Sequence, residues 1–420
     1  MKVYKFGGAS VKDANGVKQV VNILKLAGEE PLVVVLSAMG KTTNALEQVV
    51  ERYLSKDPNC EAYISEVFDL HLSIAKELFD QPSHPVFSAV ANIRQGLSDF
   101  TRRNKATDHA FVYDQIVSYG ELLSTTIVSH YCVDSGIDLE WLDVRGCIKT
   151  NANYREGIVD WKATQKAIKS TIDPSKMILT QGFLGRETKH NFTTTLGREG
   201  SDYTAAIFAY CLNALSVTIW KDVPGVLSAD PRSFKDPVLL EHISYQEAIE
   251  LAFYGASVIH PKTLQPLQRK EIPLWVRPFS DPSGRGTRVG SGPELKPLVG
   301  CIIKKEQQVL IQLSALDFNF MMEDHIGDVF KWLHTYQMKV ELIQNSAISF
   351  SVCVDNKYNR LSELVTRLQK QFKVLIHDQV TLITLRHAPI KMIHNATKGR
   401  EVLLRQESGN TLQLVIKNAD

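Results

Sequence analysis

The chain has 420 residues, 44% hydrophobic and 22% charged, with a formal net charge of +2. That length supports two or three separate cores, and the near-neutral balance gives no broad basic field, so nucleic-acid binding has no support and any charged site must be local. Six scattered cysteines without C-x-x-C or His/Cys zinc spacing, a start with no signal-like apolar region, and longest apolar runs, such as PLVVVLSAMG, far too short to span a bilayer argue against a zinc centre and a membrane span and lead us to expect a cytoplasmic protein with reduced thiols.

In chain order, short β-branched runs at 3–6, 31–37, 137–143, 176–182, 216–221 and 272–277 alternate with longer helical stretches up to about residue 278. This alternation predicts an α/β domain with a mostly parallel, buried sheet. The first run ends in KFGGAS, Lys5 to Ser10. Its glycines let backbone N–H groups approach an anion while Lys5 adds a full charge, but the segment alone fits a tight strand-to-helix turn equally well. In the next helix Val17, Val20, Val21 and Leu24 share a face, with Ser10 placed to cap it and Asp13 three residues on. The second run ends in SAMGKTTNAL, where Ser37, Gly40 and Thr43 fall outside a strand's carboxyl end as a substrate would; hydroxyl residues there also serve as helix caps. Residues 45–115 lack clear strands and read as a helical insertion.

SYGELLS, 118–124, sets Gly120 inside a periodic helix with Ile116, Leu123 and Ile127. A mid-helix glycine costs about 1 kcal/mol relative to alanine, which asks for a packing or ligand reason; Glu121 beside it could hold a cationic group or simply face solvent. TTTLGREGSDYTAA, 193–206, gathers hydroxyls, two glycines, Arg198, Ser201 and Asp202 at a helix start, a combination suited to a carboxylate or phosphate. An N-cap alone would explain Ser201 and Asp202 but not the Thr-Leu-Gly-Arg before them. WKDVPGVLSADPR, 220–232, follows another strand, and its Arg232 either reaches phosphates or decorates a surface loop. SYQE, 244–247, is a capping box for a helix that stops at Gly255.

The Gly-, Pro- and Ser-rich stretch 279–297 marks a domain boundary. Beyond it a weak repeat runs as a strand at 309–313, a helix through 329–333 and strands at 340–343 and 348–354, echoed by a strand at 380–385, a short helix and strands at 402–405 and 412–416. Two copies of a small β-α-β-β unit fit this better than one large domain.

KFGGAS, SYGELLS, TTTLGREGSDYTAA, KDVPGVLSADPR and GASVIHP, in this order and spacing, resemble the aspartate kinase family from Lys5 to about residue 290, and the two small units after it resemble that family's paired ACT domains. The resemblance implies an α/β protein with the amino-acid kinase fold, an αβα sandwich around a mainly parallel sheet, over 1–290 with the helical insertion at 45–115. Two small α+β, ferredoxin-like ACT domains would follow at 298–372 and 373–420, the second incomplete unless it takes in the strand near 299–304. It also implies an enzyme that uses ATP to phosphorylate the side-chain carboxylate of L-aspartate, the first step toward lysine, threonine and methionine. Mg2+ would be held mainly by nucleotide phosphates and not by a protein metal site.

Carried over by position, Lys5 resembles the lysine that neutralises the transferring phosphoryl group, and Asp202 the aspartate that organises it. Glu121 resembles the partner of the substrate ammonium and Arg198 that of a substrate carboxylate, with Thr43 and Ser201 as neighbours. Gly7, Gly8, Ser10, Lys221, Asp222, Leu227, Arg232 and Ser257 fall at nucleotide positions, and Met321, Gly327, Asp328 and Ser346 at positions for an allosteric effector, lysine or threonine. The family also implies a homodimer or dimer of dimers through the ACT-like domains, with neither nucleic-acid nor membrane partners. This chain departs from the pattern at Ala9 and Lys221, where threonine is usual, at Leu227, where an aromatic is usual, and at Ser257, where lysine is usual. Either Lys221 or Lys262 then supplies the missing charge, or nucleotide affinity is lower. A kinase for glutamate or a carbamate-like acceptor, and a silent amino-acid-sensing paralogue, are the competing readings.

Overall fold

The structure, a computed structural model, describes residues 1–28, 30–256, 259–316 and 322–418, so Ser257 and Met321 lie outside the described residues. The chain forms two compact units, one of Met1–Val226, Leu239–Ile249 and Val258–Leu295, the other of Leu227–Val238, Glu250–Ser257 and Lys296–Asp420. Two short stretches within the first 290 residues therefore belong to the second unit.

The first unit opens with β1 (Lys2–Phe6), α1 (Ala14–Ala27) and β2 (Leu32–Leu36), the last buried at every position as its unbroken LVVVL run requires. Ser10 does not cap α1. Residues Gly8–Val11 form a 3-10 turn that buries Ser10, and Asp13, in the extended conformation an N-cap adopts, accepts a hydrogen bond from Gly16 N at 2.8 Å. Four helices follow: α2 (Thr42–Leu54), α3 (Cys60–Leu78), α4 (Pro85–Arg103) and α5 (His109–Asp134). Next come β3 (Glu140–Leu142), β4 (Lys149–Thr150), α6 (Trp161–Thr171), β5 (Met177–Gln181), β6 (Leu184–Glu187) and β7 (Thr193–Thr195). Then α7 (Gly200–Leu212), β8 (Val217–Lys221), β9 (His242–Ser244), α8 (Tyr245–Tyr254), whose residues from Glu250 on belong to the second unit, α9 (Pro261–Arg269), β10 (Leu274–Pro278), β11 (Thr287–Gly290) and β12 (Leu295–Lys296), at the boundary of the two units, complete the set. The Ser244 hydroxyl accepts from Glu247 N at 3.0 Å at the start of α8, which is the serine half of the expected capping box, while Ser244 N donates to Glu294 O at 2.9 Å.

Nine strands make one sheet in the order β12-β9-β11-β10-β8-β1-β2-β5-β3, and its run from β10 to β3 is parallel throughout. β1 has β2 on one side and β8 on the other, so the winding reverses beside it, and ligands of open parallel sheets bind at the carboxyl ends next to such a point. Strand alternation divides the faces. Phe6, Val34, Leu36, Leu179 and Trp220 join a large apolar cluster with α1 to α5, while α7 packs on β1, β2 and β8 from the face that Lys5 occupies. The result is the expected αβα sandwich. Strands β4, β6 and β7 form a separate small sheet.

The second unit is an antiparallel sheet of β13 (Cys301–Ala315), β14 (Lys339–Asn345), β15 (Ser349–Asp355), β16 (Phe372–Arg386), β17 (Arg400–Ser408) and β18 (Thr411–Asn418), ordered β14-β15-β13-β16-β18-β17. Helices α10 (Glu323–Thr335) and α11 (Leu361–Leu368) cover a core around Ile311, Phe350 and Val352, and α12 (Ile390–Thr397) covers one around Ile383, Leu414 and Ile416. β13 and β16 pair along both halves, Gln312 opposite Leu375 and Ile302 opposite Leu385, across a bulge near Gln308. The repeat pattern omitted α11, whose Leu361, Leu364 and Leu368 do form a helical stripe. Among the described residues no helix is long and apolar enough to cross a membrane.

Candidate active site

The carboxyl ends of β1, β2, β5 and β8 meet the N-terminus of α7. Lys5, facing α7 from β1, is buried, and its Nζ lies 2.6 Å from Asp202 Oδ1. Lys221, the last residue of β8, brings its Nζ to 3.5 Å from the other oxygen, Oδ2. Burial alone would raise the Asp202 carboxyl, but the charges of Lys5 and Lys221 beside it win and hold it below the ordinary carboxylate range. The cluster thus carries two cations on one buried anion, next to a helix N-terminus that itself favours negative charge.

The loops over this cluster are interlocked. After β1, Gly8 accepts from Gly40 N at 2.9 Å, and a Cβ on Gly8 would stand 2.7 Å from the Ala38 carbonyl, so only glycine fits. Gly120 lets α5 approach the same loop, since a Cβ there would sit 3.1 Å from Ala38 Cβ and 3.2 Å from Thr42 Cγ2. That identifies packing as the reason for the mid-helix glycine. Ser124 Oγ donates to Ser37 O at 2.8 Å, tying α5 to the end of β2.

Glu121 is buried on α5, and its Oε1 accepts from Ala38 N at 3.4 Å. Its Oε2 is buried without a hydrogen-bond partner among the described residues. Burial pushes its carboxyl from an ordinary 4.5 to about 8, against the weak hydrogen bond from Ala38. A buried carboxylate with one open oxygen can receive a cation and is otherwise costly to keep charged.

Several positions escaped the sequence reading. Asp114, also buried on α5, accepts from Arg155 N and Thr195 N, each at 2.9 Å, and from Thr195 Oγ1 at 2.7 Å, fixing the end of β7 from which the Arg198 loop departs. Burial pushes its carboxyl up to about 6 even against those three donors. Asp114, Ser118, Glu121 and Thr125 recur at spacings of four, three and four, a polar stripe on a helix otherwise buried nearly all round, and this was the available signal. At the end of β5, Leu184 N donates to Gly182 O at 2.7 Å across Phe183, whose φ of +68° makes this a γ-turn of the strained, positive-φ kind. A Cβ on Gly182 would lie 2.4 Å from Ser201 Cβ, and one on Gly200 would lie 2.6 Å from Phe183 Cδ2, so this turn and the start of α7 are fitted to each other.

The remaining predicted residues sit as follows. Gly7 and Ser10 lie in the loop after β1, and Ser201 is buried beside Asp202. Thr43 is half-buried in the first turn of α2, where the neighbouring Thr42 makes the structural bond, donating to Met39 O at 2.6 Å. Arg198 is exposed and makes no ion pair among the described residues, following Gly197 and preceding Glu199, both at positive φ. Asp222 is exposed just after β8. Leu227 and Arg232 belong to the second unit, where the Arg232 guanidinium forks onto Asp230 with Nη2 to Oδ2 at 2.7 Å. There too, Gly327 and Asp328 are exposed on α10, and Ser346 closes the β14–β15 hairpin by accepting from Ser349 N at 3.1 Å.

The sequence profile of the Amino acid kinase family matches residues 1–278. The chain is 32% identical over 358 residues to lysine-sensitive aspartokinase 3 of Escherichia coli (strain K12), covering 84% of this chain and 78% of that protein. It is 33% identical over 298 residues to the chloroplastic bifunctional aspartokinase/homoserine dehydrogenase 2 of Arabidopsis thaliana, covering 70% of this chain but only 32% of that longer protein. Among solved structures, E. coli aspartokinase III in complex with lysine and aspartate superposes with a TM-score of 0.81 at 27% identity, over 100% of this chain and 96% of that one. The same enzyme in complex with aspartate and ADP gives 0.79 at 27% identity with the same coverage.

Proposed function

Because the chain belongs to the amino acid kinase family and, within it, to the aspartokinases, we propose that it transfers the γ-phosphoryl group of ATP to the side-chain carboxylate of L-aspartate, giving 4-phospho-L-aspartate and ADP. The observation that carries this reading is the pairing at one sheet end of two opposite needs. Glu121 offers a buried carboxylate oxygen without a hydrogen-bond partner among the described residues, suited to an ammonium, while Lys5 and Lys221 both reach Asp202 and present ammonium groups to phosphates.

The acceptor carboxylate is ionised at pH 7, so attack on the γ-phosphorus requires no general base. One P–O bond forms to the carboxylate, the bond to the bridging oxygen breaks, and ADP leaves with the electron pair. Two anions must be brought into line, so positioning and charge neutralisation supply the catalysis. We assign Lys5 to the transferring phosphoryl group and Asp202 to orienting Lys5. Glu121 takes the substrate ammonium and Arg198 a substrate carboxylate, with Thr43 and Ser201 beside them. Gly7, Gly8, Ser10, Asp222, Leu227, Arg232 and Ser257 are assigned to the nucleotide. Asp202, engaged by two lysines, is poorly suited to hold a divalent cation, which fits Mg2+ carried on the nucleotide phosphates, where it would neutralise phosphate charge.

The E. coli relative is named lysine-sensitive, and we take lysine as the first effector to test here. Met321, Gly327, Asp328 and Ser346 are its candidate contacts, and pairing of two chains through the second unit is the candidate assembly, in a cytoplasmic enzyme. The deciding experiment incubates the purified chain with MgATP and aspartate, or glutamate as control, and traps the acyl phosphate with hydroxylamine. Hydroxamate from aspartate, reduced by added lysine, is expected. Folded protein that yields none would sink the assignment, and indifference to both lysine and threonine would remove the regulatory part alone.

A further inference from the structure

The lysine at the end of β8 does more than fill a nucleotide position. In the parallel register Lys5 lies opposite Ile219, so Lys221, two residues further along β8, projects from the same face one step closer to the carboxyl edge. Both ammonium groups reach one carboxylate, Lys5 on Oδ1 and Lys221 on Oδ2. The Lys221 side chain is 20% exposed and that of Lys5 9%, so Lys221 occupies the outer, more accessible side of the pair. Lys262, the other cation offered to replace the family's lysine at 257, is engaged elsewhere: its Nζ donates to Leu196 O at 3.1 Å and lies 5.1 Å from the Tyr203 ring centre. Asp202 holds both ammonium groups in fixed positions before any phosphate arrives, which is the preorganisation that electrostatic catalysis needs.

We propose that Lys221 is a second catalytic cation, contacting the phosphate oxygens that flank the breaking bond while Asp202 holds it beside Lys5. The inference rests on the aspartokinase reading. As the carboxylate oxygen bonds to phosphorus and the bridging oxygen departs with ADP, negative charge gathers on the leaving phosphate, and Lys221 offsets it.

The test compares wild type with K221M, K221Q and K221R in the hydroxamate assay, and measures binding of ADP and of a non-hydrolysable ATP analogue to each by calorimetry. K221M and K221Q should lower kcat by at least about tenfold, with the aspartate KM within about twofold and an unchanged melting temperature, and K221R should recover part of the loss. The preference for triphosphate over diphosphate should fall in K221M and K221Q. Neutral variants that keep kcat within about twofold, or keep the wild-type triphosphate preference, would overturn the proposal. A loss of kcat tracking a lowered melting temperature and not relieved in K221R would reduce Lys221 to a structural partner of Asp202. If wild type makes no hydroxamate from aspartate, the aspartokinase reading falls, and the nucleotide comparison still decides Lys221.

Discussion

Raising the pH from 6 to 8 should tighten aspartate binding by the wild-type chain about fiftyfold, and Glu121→Gln should abolish that dependence. With the Glu121 carboxyl near 8, about one molecule in a hundred is ionised there at pH 6, about one in ten at pH 7 and about half at pH 8. Only the ionised form pairs with an ammonium, so substrate must first displace a proton. The same burial acts on stability, with a definite sign. Between the ordinary 4.5 and about 8 the folded chain keeps a proton that the unfolded chain releases, so the favourable contribution is complete below that window and is lost as pH rises through it. At pH 7 the loss is about 3 kcal/mol. Glutamine carries no charge to bury, so the variant should melt above wild type at pH 8 while binding aspartate at least about thirtyfold more weakly for want of a charged hydrogen bond. Calorimetric titration of aspartate at three pH values, in buffers of different ionisation enthalpy, reads the released proton directly, and thermal melts read the stability arm. Aspartate affinity that stays flat from pH 6 to 8, or a glutamine variant that melts below wild type at pH 8, would refute the reasoning.

Lys5→Ala leaves Asp202 with Lys221 alone and should lower kcat about a thousandfold with an unchanged circular dichroism spectrum; near-normal turnover would remove Lys5 from its role. Gly182→Ala forces a methyl to within 2.8 Å of Ser201 Cα, which is backbone and cannot swing aside, so about 2 kcal/mol of stability should be lost, and an unchanged melting temperature would contradict the packing described. Asp114→Asn keeps one acceptor where three donors converge and should cost about 2 kcal/mol. Because Asp114 positions the loop bearing Arg198, the aspartate KM should rise with kcat within about threefold; a fall in kcat alone would place its influence elsewhere.

The strands of the first unit were legible because a buried parallel sheet leaves an unbroken apolar run, as in LVVVL, and the helices around it interrupt that run at regular intervals. Glu121 and Asp202 were legible from their motifs, but neither their burial nor their partners could be read. The Lys221–Asp202 contact depends on strand register, since it follows from Lys5 standing opposite Ile219, and no local pattern encodes it. Ser10 and Asp13 both satisfy the chemistry of an N-cap, and only the 3-10 turn between strand and helix decides for Asp13. The γ-turn at Phe183 has no sequence signature, because a phenylalanine at positive φ is held there by its surroundings, Thr204 Oγ1 on its N–H at 3.0 Å and Leu196 N on its carbonyl at 2.8 Å.

The two fifteen-residue strands β13 and β16 have a consequence for how the second unit gains and loses order. Each contributes one half to the first repeat and the other half to the second, so neither repeat owns a complete sheet. Their shared ladder makes the pair one cooperative folding unit. Amides at both ends of β13, near Ile302 and near Gln312, should therefore exchange with solvent at matching slow rates. A small molecule that stiffens one repeat would slow exchange in the other through the hydrogen bonds they hold in common, with no change of shape required.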